Sequence, residues 1–364
     1  MKTITIVGAR PEFIQTAPFT KAIRKRHTDI LVHTGQHYDD NMSAVFFSDL
    51  GIPQPELNLG VGGGSHAEMT GQMLMKLEAA FQQEKPDWVV VFGDTNSTIA
   101  GALAAAKIHI PVAHIESGLR SYDRRMPEEV NRVMTDHLSS ALFAPTQAAV
   151  DNLRKEGITR GVRLVGDVRV DVVEQTVPRA RTRQSDLFTQ TGLQAGEGFA
   201  LATIHRASNT DDRARLSDIV NAFNTLDLPV VLPVHPRLKK MLAEFGLSFS
   251  GNVRPVEPLG FVDMVALLDA CRMVITDSGG LQKEAYMLRR PCVTVRDTTE
   301  WIETVESGWN RLTEPGDFRA AAAAAAVPPP AEHPDFYGAS GVCDRIVDAL
   351  EELLPEARQA YGQA

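Results

Sequence analysis

Residues 273–285 read Met-Val-Ile-Thr-Asp-Ser-Gly-Gly-Leu-Gln-Lys-Glu-Ala: an apolar run, a Ser-Gly-Gly turn and the start of a helical stretch. A helix that begins directly after a strand offers unpaired backbone N–H groups to an anion. Gly279 and Gly280 lack Cβ atoms where a diphosphate would approach the main chain beside Ser278. Glu284, about one turn into the helix, can accept hydrogen bonds from a ribose diol. The segment predicts a nucleotide-sugar site, with a tight turn that binds nothing as the alternative.

The bulk composition excludes several classes of protein. At 364 residues the chain exceeds the usual size of a single core, so we expect two domains. The net charge of -9 argues against a nucleic-acid groove as the main site. Met1 leads directly into an apolar strand without a signal segment, and no apolar run reaches membrane-spanning length. We therefore expect a cytoplasmic protein with neither nucleic-acid nor membrane partners.

The cysteines indicate a reducing compartment. Cys271, Cys292 and Cys343 are odd in number, far apart and without the spacing of metal ligands. We expect buried, reduced thiols and no metal site.

Short β-branched runs alternate with amphipathic or Ala-rich segments, a pattern typical of α/β folds with parallel sheets. The predicted strands lie near Thr3–Val7, Asp29–His33, Trp88–Phe92, Val112–Ile115, Ala141–Ala144, Arg163–Val165, Phe199–Ile204, Val230–Val234, Val253–Val256, Met273–Thr276 and Cys292–Val295. These form two doubly wound units joined near Gly166–Asp171. We predict domains over residues 1–168 and 169–344, and a terminal helix over 345–364.

The candidate functional residues fall at strand ends. In open parallel sheets, ligands bind outside the carboxyl ends of the strands. Residues at such ends are, in the first unit, Arg10, Asp94 and Glu116, and in the second, His205, His235 and Ser278. If the two rims face each other, a cleft results.

Each of these side chains also has a purely structural interpretation. Asp94 is a favoured residue type for capping the helix that begins near Ser97. A carboxylate at a buried strand end must be paired or used, and Arg120 is a possible partner for Glu116. Glu128 favours the dipole of a helix begun by a proline, and His205 is compatible with a core position.

Taken in order, the motifs resemble one family along nearly the whole chain. They are Gly8-Ala9-Arg10-Pro11-Glu12, Thr34-Gly35-Gln36-His37, Gly93-Asp94-Thr95, His114-Ile115-Glu116-Ser117-Gly118-Leu119-Arg120, Pro127-Glu128-Glu129-Val130-Asn131-Arg132, His205-Arg206, and 277–285. The set is similar to the non-hydrolysing UDP-N-acetylglucosamine 2-epimerases. The resemblance implies a GT-B fold, in which two Rossmann-like domains close over a UDP-sugar and the last helix crosses back to the first domain. It further implies no metal or redox cofactor, a homodimer, and a role in supplying surface polysaccharide synthesis.

The implied reaction inverts C2 of the sugar, whose C–H bond has no adjacent carbonyl to acidify it. Elimination of UDP gives a 2-acetamidoglucal, and re-addition completes the epimerisation. Asp94, Glu116 and Glu128 match the family's catalytic acids, and mutual repulsion should raise at least one of their pKa values. His205 and Arg10 can stabilise the departing diphosphate.

The resemblance also assigns binding residues. Glu284 matches the family's ribose ligand, and Phe261 or Met264 would lie by the uracil. Arg132, in the Pro127–Arg132 motif, and Gln15 are expected at the substrate as well.

Several positions depart from the family pattern. Gln15 stands where many members have Lys, and Gly62–Gly64 replaces a stretch that carries an Arg in substrate-activated members. Ala207-Ser208 likewise replaces an Arg-Glu pair. These changes argue against activation by substrate, although Gln36 and His37 remain as a possible remnant of the second-substrate site.

Residues 296–301, Arg-Asp-Thr-Thr-Glu-Trp, look more like the branch that includes 2-epimerases of UDP-2,3-diacetamido-2,3-dideoxy-glucuronic acid. That sugar is the alternative substrate. From other classes, a GT-B glycosyltransferase would share the nucleotide site but has no reason for three acids on one rim. A non-catalytic nucleotide-sugar sensor would be expected to lack some of Asp94, Glu116, Glu128 and His205, which are all present.

Overall fold

The β-branched runs form two sheets in which every pairing between described strands is parallel. The computed structural model describes residues 1–36, 51–194, 196–313 and 329–362, without the side chain of residue 10. Internal contacts divide the chain into Met1–Glu174 with Asp335–Ala364, here called unit 1, and Gln175–Pro334, here called unit 2. The predicted α/β class with two doubly wound parallel sheets is confirmed.

Unit 1 carries a seven-stranded sheet of order β3-β2-β1-β4-β5-β6-β7. Its strands are β1 (Lys2–Val7), β2 (Thr28–His33), β3 (Leu57–Asn58), β4 (Trp88–Phe92), β5 (Val112–Ile115), β6 (Ala141–Ala144) and β7 (Val162–Leu164). The helices along it are α1 (Arg10–Ile23), α2 (His66–Glu84), α3 (Asn96–Lys107), α4 (Pro127–Leu138), α5 (Gln147–Lys155) and α6 (Val168–Arg181), which runs past the division between the units.

Unit 2 carries a six-stranded sheet of order β10-β9-β8-β11-β12-β13. Its strands are β8 (Ala200–Thr203), β9 (Val230–Pro233), β10 (Val253–Val256), β11 (Met273–Thr276), β12 (Cys292–Thr294) and β13 (Asn310–Leu312). Its helices are α7 (Gln184–Thr191), α8 (Ala207–Thr210), α9 (Arg213–Asn224), α10 (Pro236–Phe245), α11 (Phe261–Ala270), α12 (Gly279–Met287) and α13 (Ile302–Glu306). Across the described ranges, every helix falls short of the length and apolarity that a bilayer crossing requires.

Each sheet has a point at which its strand order reverses. In unit 1, β1 pairs with both β2 and β4, and in unit 2, β8 pairs with both β9 and β11. Chain segments that leave the carboxyl ends of two such neighbouring strands diverge in opposite directions, which leaves room for a ligand. The segments after β1 and β4, and after β8 and β11, are therefore the places where a site is expected.

Two strands are absent from the sequence-based prediction. β3 contains only two residues, and β13 contains three, of which Arg311 is exposed. Such short strands at a sheet edge carry too little alternation or apolar character to be recognised. The position of β3 is set by its pairing with β2, where Val32 lies opposite Leu57, and that of β13 by its pairing with the residues of β12.

The last helix, α14 (Val342–Ala360), packs against α1 within unit 1. Arg26, just beyond α1, contacts Asp348 at 2.6 Å, and the Trp88 indole donates to the carbonyl of Leu350 at 3.2 Å. The helix begins three residues before the predicted terminal helix 345–364, and it continues through Pro355 to Ala360.

The three cysteines are buried and unbridged, as expected. Burial raises the pKa of the Cys271 and Cys292 thiols to about 12 and raises that of Cys343 well above its ordinary value. Thiols of this kind are unreactive at neutral pH.

The amino end of α14 depends on one buried carboxylate. Asp171 on α6 accepts backbone hydrogen bonds from Gly341 at 2.7 Å, Val342 at 3.2 Å and Cys343 at 2.8 Å, and only 5% of it is exposed. We expect Asp171→Asn to lower the free energy of unfolding by about 2 kcal/mol, because an amide cannot accept from all three donors. Asp348→Asn, an exposed position on α14, should change it by less than ~0.5 kcal/mol. Urea denaturation of both variants checks this, and equal effects would contradict the assignment.

Candidate active site

Asp94 lies two residues after the end of β4, at the point where the order of the unit 1 sheet reverses. The predicted structural role for it, as the cap of α3, is wrong. Thr95 caps this helix, and its side chain accepts from the amides of Ser97 and Thr98. The Asp94 side chain is left for a different interaction.

That interaction is an ion pair with Arg132 on α4. The guanidinium of Arg132 donates to one Asp94 carboxylate oxygen through both Nη2 and Nε, the latter at 3.1 Å. Burial nevertheless raises the pKa of Asp94 above its ordinary value, and the charges of Glu116 and Glu128 raise it further, while Arg132 opposes the shift. Glu116 and Glu128, the other two predicted acids, therefore lie close enough to Asp94 for their charges to act on it.

Glu116 follows β5 and has a backbone φ of 71°, a left-handed conformation that is uncommon outside glycine. Strain of this kind persists where the surroundings hold it in place. Nε2 of Gln15, on α1, donates to its carboxylate at 2.7 Å. Gln15 itself is 2% exposed, so the neutral amide predicted at the substrate lies beside a predicted acid.

Arg120 is not the partner of Glu116. It donates to Asp136 and to Glu156, each at 2.7 Å, and Asp136 also contacts Nδ1 of His114 at 2.7 Å. A guanidinium already held between two carboxylates satisfies its own charge. The expectation that it neutralises Glu116 is therefore wrong.

Glu128 and Glu129 occupy the first turn of α4 but have different environments. Glu128 is exposed, whereas Glu129 is 3% exposed and accepts from the amides of Ser121 and Tyr122 and from Arg132. Glu129 thus fixes the loop before α4 and the guanidinium that pairs with Asp94, which leaves Glu128 as the side chain available for chemistry.

Glu12 is a further carboxylate at this rim, and the sequence reasoning assigned it no role. It is 3% exposed and accepts from the amides of Gly8 at 2.5 Å and Ala9 at 2.9 Å, and from the hydroxyls of Thr95 at 2.6 Å and Thr98 at 3.2 Å. Burial raises its pKa to about 7, against the effect of these four donors. A partial signal was present, because a Glu three residues after an N-cap residue, here Ala9, can accept from the backbone N–H of that residue.

One of the two residues predicted as a remnant of a second-substrate site, Gln36, lies within the described part of the chain. The Gln36 amide oxygen accepts from the backbone N–H of Ser97 at 3.0 Å and from its hydroxyl at 2.8 Å, at the amino end of α3. His37 lies outside the described residues. Arg10 begins α1 directly after the β1 turn.

In unit 2, the Asp-Ser-Gly-Gly turn forms as predicted. Ser278 is the N-cap of α12, and its side chain accepts from Leu281 at 3.5 Å. Gly279 and Gly280 then form the first turn, whose amides are those that a helix start leaves without intrahelical partners. Glu284 lies one turn further on and is 7% exposed.

A Trp–Lys pair flanks this helix start. A Cβ on Gly279 would lie 3.6 Å from Nε1 of Trp301, and Nζ of Lys283 lies 3.9 Å from the centroid of the Trp301 ring. Glu300, which precedes Trp301, accepts hydrogen bonds on its carboxylate from the guanidinium nitrogens of Arg296 at 3.0 and 2.9 Å. The segment 296–301 is therefore part of the surroundings of the turn.

His205 follows β8, the strand beside β11, and is not a core histidine. Its side chain is 39% exposed, and Nδ1 lies 2.9 Å from Oδ1 of Asp277. Asp277 is fully buried, and although burial alone raises its pKa, the donors around it, His205 first among them, bring that pKa below its ordinary value. The sequence reasoning named Asp277 within its motif without giving it a role.

The two residues predicted near the uracil lie on α11. Phe261 begins the helix and is 7% exposed, and Met264 lies one turn later and is half-buried. Among the described residues, no three His, Cys, Asp or Glu side chains are placed to hold a metal ion.

The arrangement provides two kinds of chemistry. Unit 1 groups Asp94 and Glu116, which follow β4 and β5, with Glu128 in the first turn of α4, and three neighbouring acids suit proton transfer. Unit 2 presents a helix amino end beside a histidine, which suits an anionic ligand.

Comparison with known proteins identifies the family. The model of the family described as UDP-N-acetylglucosamine 2-epimerase matches residues 21–351. A UDP-N-acetylglucosamine 2-epimerase homolog of Methanococcus maripaludis is 44% identical over 97% of this chain and all of its own length. The UDP-2,3-diacetamido-2,3-dideoxy-D-glucuronate 2-epimerase of Pseudomonas aeruginosa is 50% identical over 86% of this chain and 88% of its own.

Solved structures show the same fold. The crystal structure of the Methanocaldococcus jannaschii UDP-GlcNAc 2-epimerase in complex with UDP-GlcNAc and UDP superposes with a TM-score of 0.87 at 40% identity, covering 97% of this chain and all of that one. The Neisseria meningitidis enzyme bound to UDP-GlcNAc gives 0.86 at 30% identity, with 97% and 100% covered. The two Rossmann-like sheets are thus of the GT-B-like type seen in these epimerases.

The raised pKa of Glu12 predicts a pH dependence of stability. Its folded-state pKa of about 7 lies above the unfolded value of 4.5, so between these values the folded chain keeps a proton that the unfolded chain releases. Stability contributed by this group is therefore present below pH ~4.5 and lost as pH rises to about 7. The unfolding free energy of the wild type minus that of Glu12→Gln should fall by up to ~3 kcal/mol across this window and stay constant above it. Urea denaturation at a series of pH values measures this, and a difference that rises with pH would contradict it.

Proposed function

The chain belongs to the UDP-N-acetylglucosamine 2-epimerase family, and we propose that its reaction is the reversible inversion of C2 that converts UDP-N-acetylglucosamine into UDP-N-acetylmannosamine. The observation that carries this proposal is the group of three acids in unit 1, in which the charges of Glu116 and Glu128 act on Asp94. A helix-end anion site alone would fit many nucleotide-binding proteins.

The reaction proceeds by elimination and re-addition. A base removes the proton from C2 as the bond between C1 and the UDP oxygen breaks, so that the electron pair of the C–H bond forms the C1=C2 bond of a 2-acetamidoglucal. UDP leaves with the electrons of the C1–O bond. Return of a proton to the opposite face of C2, and of UDP to C1, gives the epimer without a redox change.

The acids of unit 1 are assigned to these proton transfers. Inversion requires groups that act on opposite faces of C2, and at least one must be protonated at the moment of donation. The raised pKa of Asp94 shifts this carboxyl toward such a protonated form. Arg132 and Gln15, which contact Asp94 and Glu116 respectively, orient these carboxylates and are assigned to the substrate side of the same rim.

Unit 2 is assigned to UDP. Ser278 and the amides of Gly279 and Gly280 bind the diphosphate, and Glu284 binds the ribose. His205 is assigned to stabilise the charge that develops on the leaving group. Arg10 keeps the same expected role on the resemblance of its motif alone. Phe261 and Met264 are placed beside the uracil.

A second candidate substrate is UDP-2,3-diacetamido-2,3-dideoxy-glucuronic acid. The Pseudomonas aeruginosa relative that acts on it is 50% identical, and the 296–301 segment resembles that branch. The C6 carboxylate of this sugar, which UDP-N-acetylglucosamine lacks, must be bound by a cation or a helix end, because a buried carboxylate left unpaired costs several kcal/mol. Gln36 is assigned to a remnant of a second-substrate site, and no activation by substrate is expected.

The proposed setting follows from the family and the chain's composition. We place the enzyme in the cytoplasm, as a homodimer that supplies activated sugar for surface polysaccharide. A glycosyltransferase would need an acceptor, and a non-catalytic sensor would have no use for the three acids. Incubation with UDP-N-acetylglucosamine alone, followed by NMR, distinguishes these classes, since only an epimerase yields the manno product.

The acid–base assignment predicts the behaviour of amide variants. Asp94→Asn, Glu116→Gln and Glu128→Gln should each lower turnover by at least ~100-fold while leaving UDP affinity largely intact, because positioned proton transfer contributes that much. Glu352→Gln, an exposed position on α14, is the matched control and should keep full activity. Calorimetry with UDP and an NMR rate assay check both properties. Full turnover in any one of the three variants removes that residue from the mechanism.

Substrate choice is predicted separately. We expect kcat/KM for UDP-N-acetylglucosamine to exceed that for UDP-2,3-diacetamido-2,3-dideoxy-glucuronic acid when both are measured side by side. Discrimination based on an unmatched charged group reaches several orders of magnitude. A preference for the uronic acid above ~100-fold would therefore replace the first substrate by the second.

A further inference from the structure

The fully buried carboxylate of Asp277 lies beside a histidine that the reaction uses. Asp277 is the first residue after β11, and His205 lies two residues after the end of β8. The two strands are parallel neighbours, with Thr203 opposite Thr276 in the register. The sheet therefore places both side chains together at the point where the strand order reverses.

The two oxygens of Asp277 have different partners. Oδ2 accepts from the backbone N–H groups of His205 at 3.0 Å and Arg206 at 2.9 Å, and from Nδ2 of Asn209 at 3.0 Å. Oδ1 lies 2.9 Å from Nδ1 of His205, with a longer contact of 3.2 Å to the His205 amide. One oxygen thus holds the backbone turn, and the other faces the imidazole ring.

Asn209 fixes this arrangement from the far side. It is fully buried, donates to the carbonyl of Val295 at 2.9 Å as well as to Asp277, and accepts from Nε of Arg215 at 2.6 Å. Because its amide is oriented by a donor and two acceptors, the carboxylate next to it cannot rotate without losing several hydrogen bonds.

An ionised carboxylate accepts only, so Nδ1 of His205 must carry the proton. The tautomer is thereby set by the partner of one ring nitrogen, and the other nitrogen is left for a ligand. We propose that Asp277 is a positioning residue that holds His205 with its Nδ1–H on the carboxylate, so that Nε2 takes up a proton from solvent when UDP binds and donates to the diphosphate as an imidazolium N–H. This inference rests on the assignment of UDP to unit 2.

The geometry gives a specific expectation for Asp277→Asn. The amide oxygen takes the place of Oδ2, where three donors converge, so the NH₂ group takes the place of Oδ1 and faces the ring. Nδ1 then has to accept, and the proton moves to Nε2. The variant keeps the shape of the site but reverses the tautomer and removes the negative charge that favours an imidazolium.

The first measurement is the tautomer of His205, read from the nitrogen shifts of the imidazole in the full-length chain above pH 7.5. The wild type should show a protonated Nδ1, and Asp277→Asn should show a protonated Nε2. A wild-type ring protonated on Nε2 alone would overturn the proposal. Because this readout uses the wild type, it decides the matter even where the variant does not fold.

The second measurement separates positioning from simple stabilisation. Asp277→Asn should weaken UDP binding and lower turnover by at least ~10-fold, because a neutral Nε2–H contact to phosphate replaces the stronger charge-assisted one. His205→Ala should do the same, and the double variant should be no worse than His205→Ala, because residues that act through one another are not additive. Asp211→Asn, which breaks an exposed ion pair with Arg237 in the same unit, should bind UDP as the wild type does.

The outcomes distinguish a failure of the role proposed for Asp277 from a failure of the assignment of UDP to unit 2. If the losses in the double variant add fully, Asp277 does not act through His205 and the proposal fails while the UDP site stands. If the wild type does not bind UDP, the assignment of unit 2 fails and the proposal fails with it.

Discussion

A carboxylate at the end of a buried parallel strand has to be matched by donors, and this constraint organises both units. Leaving such a charge unpaired costs several kcal/mol, so the surrounding loops are built around it. Glu12 accepts hydrogen bonds both from the turn after β1 and from the threonines after β4, and so connects these two segments. Asp277, at the end of β11, connects to the turn after β8 in the same way. In each unit, one buried carboxylate therefore joins the two segments that flank the reversal of strand order.

The consequence for function is a division of chemistry between two similar sheets. In unit 1, Asp94 lies in the segment after β4, where it pairs with Arg132 and is affected by the charges of Glu116 and Glu128. In unit 2, His205 lies beside a helix start with open amides. Acids suited to moving a proton and donors suited to holding a diphosphate are the two requirements of an elimination that expels UDP.

Much of this was predictable from sequence, and the failures have physical causes. The strands β4, β5 and β11 follow from their apolar runs, and the resemblance of the motifs gave the family. The capping role of Asp94 was wrong because Thr95 is equally suited to that role and lies one residue closer to the helix. The pairing of Arg120 was wrong because its partners, Asp136 and Glu156, lie 16 and 36 residues further along the chain, and only the fold brings them near.

The raised pKa of Glu12 could not have been predicted for a similar reason. Its position three residues after the N-cap residue Ala9 suggests a capping role, but its burial depends on how β1, α1 and α3 pack. The dyad of Asp277 and His205 depends in the same way on the pairing of β8 with β11. Sequence patterns identify strand ends, and the order of strands in the sheet decides which ends meet.

The central claim is that the acids of unit 1 remove and return the hydrogen at C2, and heavy water tests it directly. The wild type is incubated with UDP-N-acetylglucosamine alone in deuterium oxide, and both epimers are examined at C2 by NMR. The account predicts deuterium at C2 of the manno product from the first turnovers, and of the recovered gluco substrate as the reaction approaches equilibrium. Epimerisation that retains the original hydrogen, or UDP released without any epimer, would contradict it.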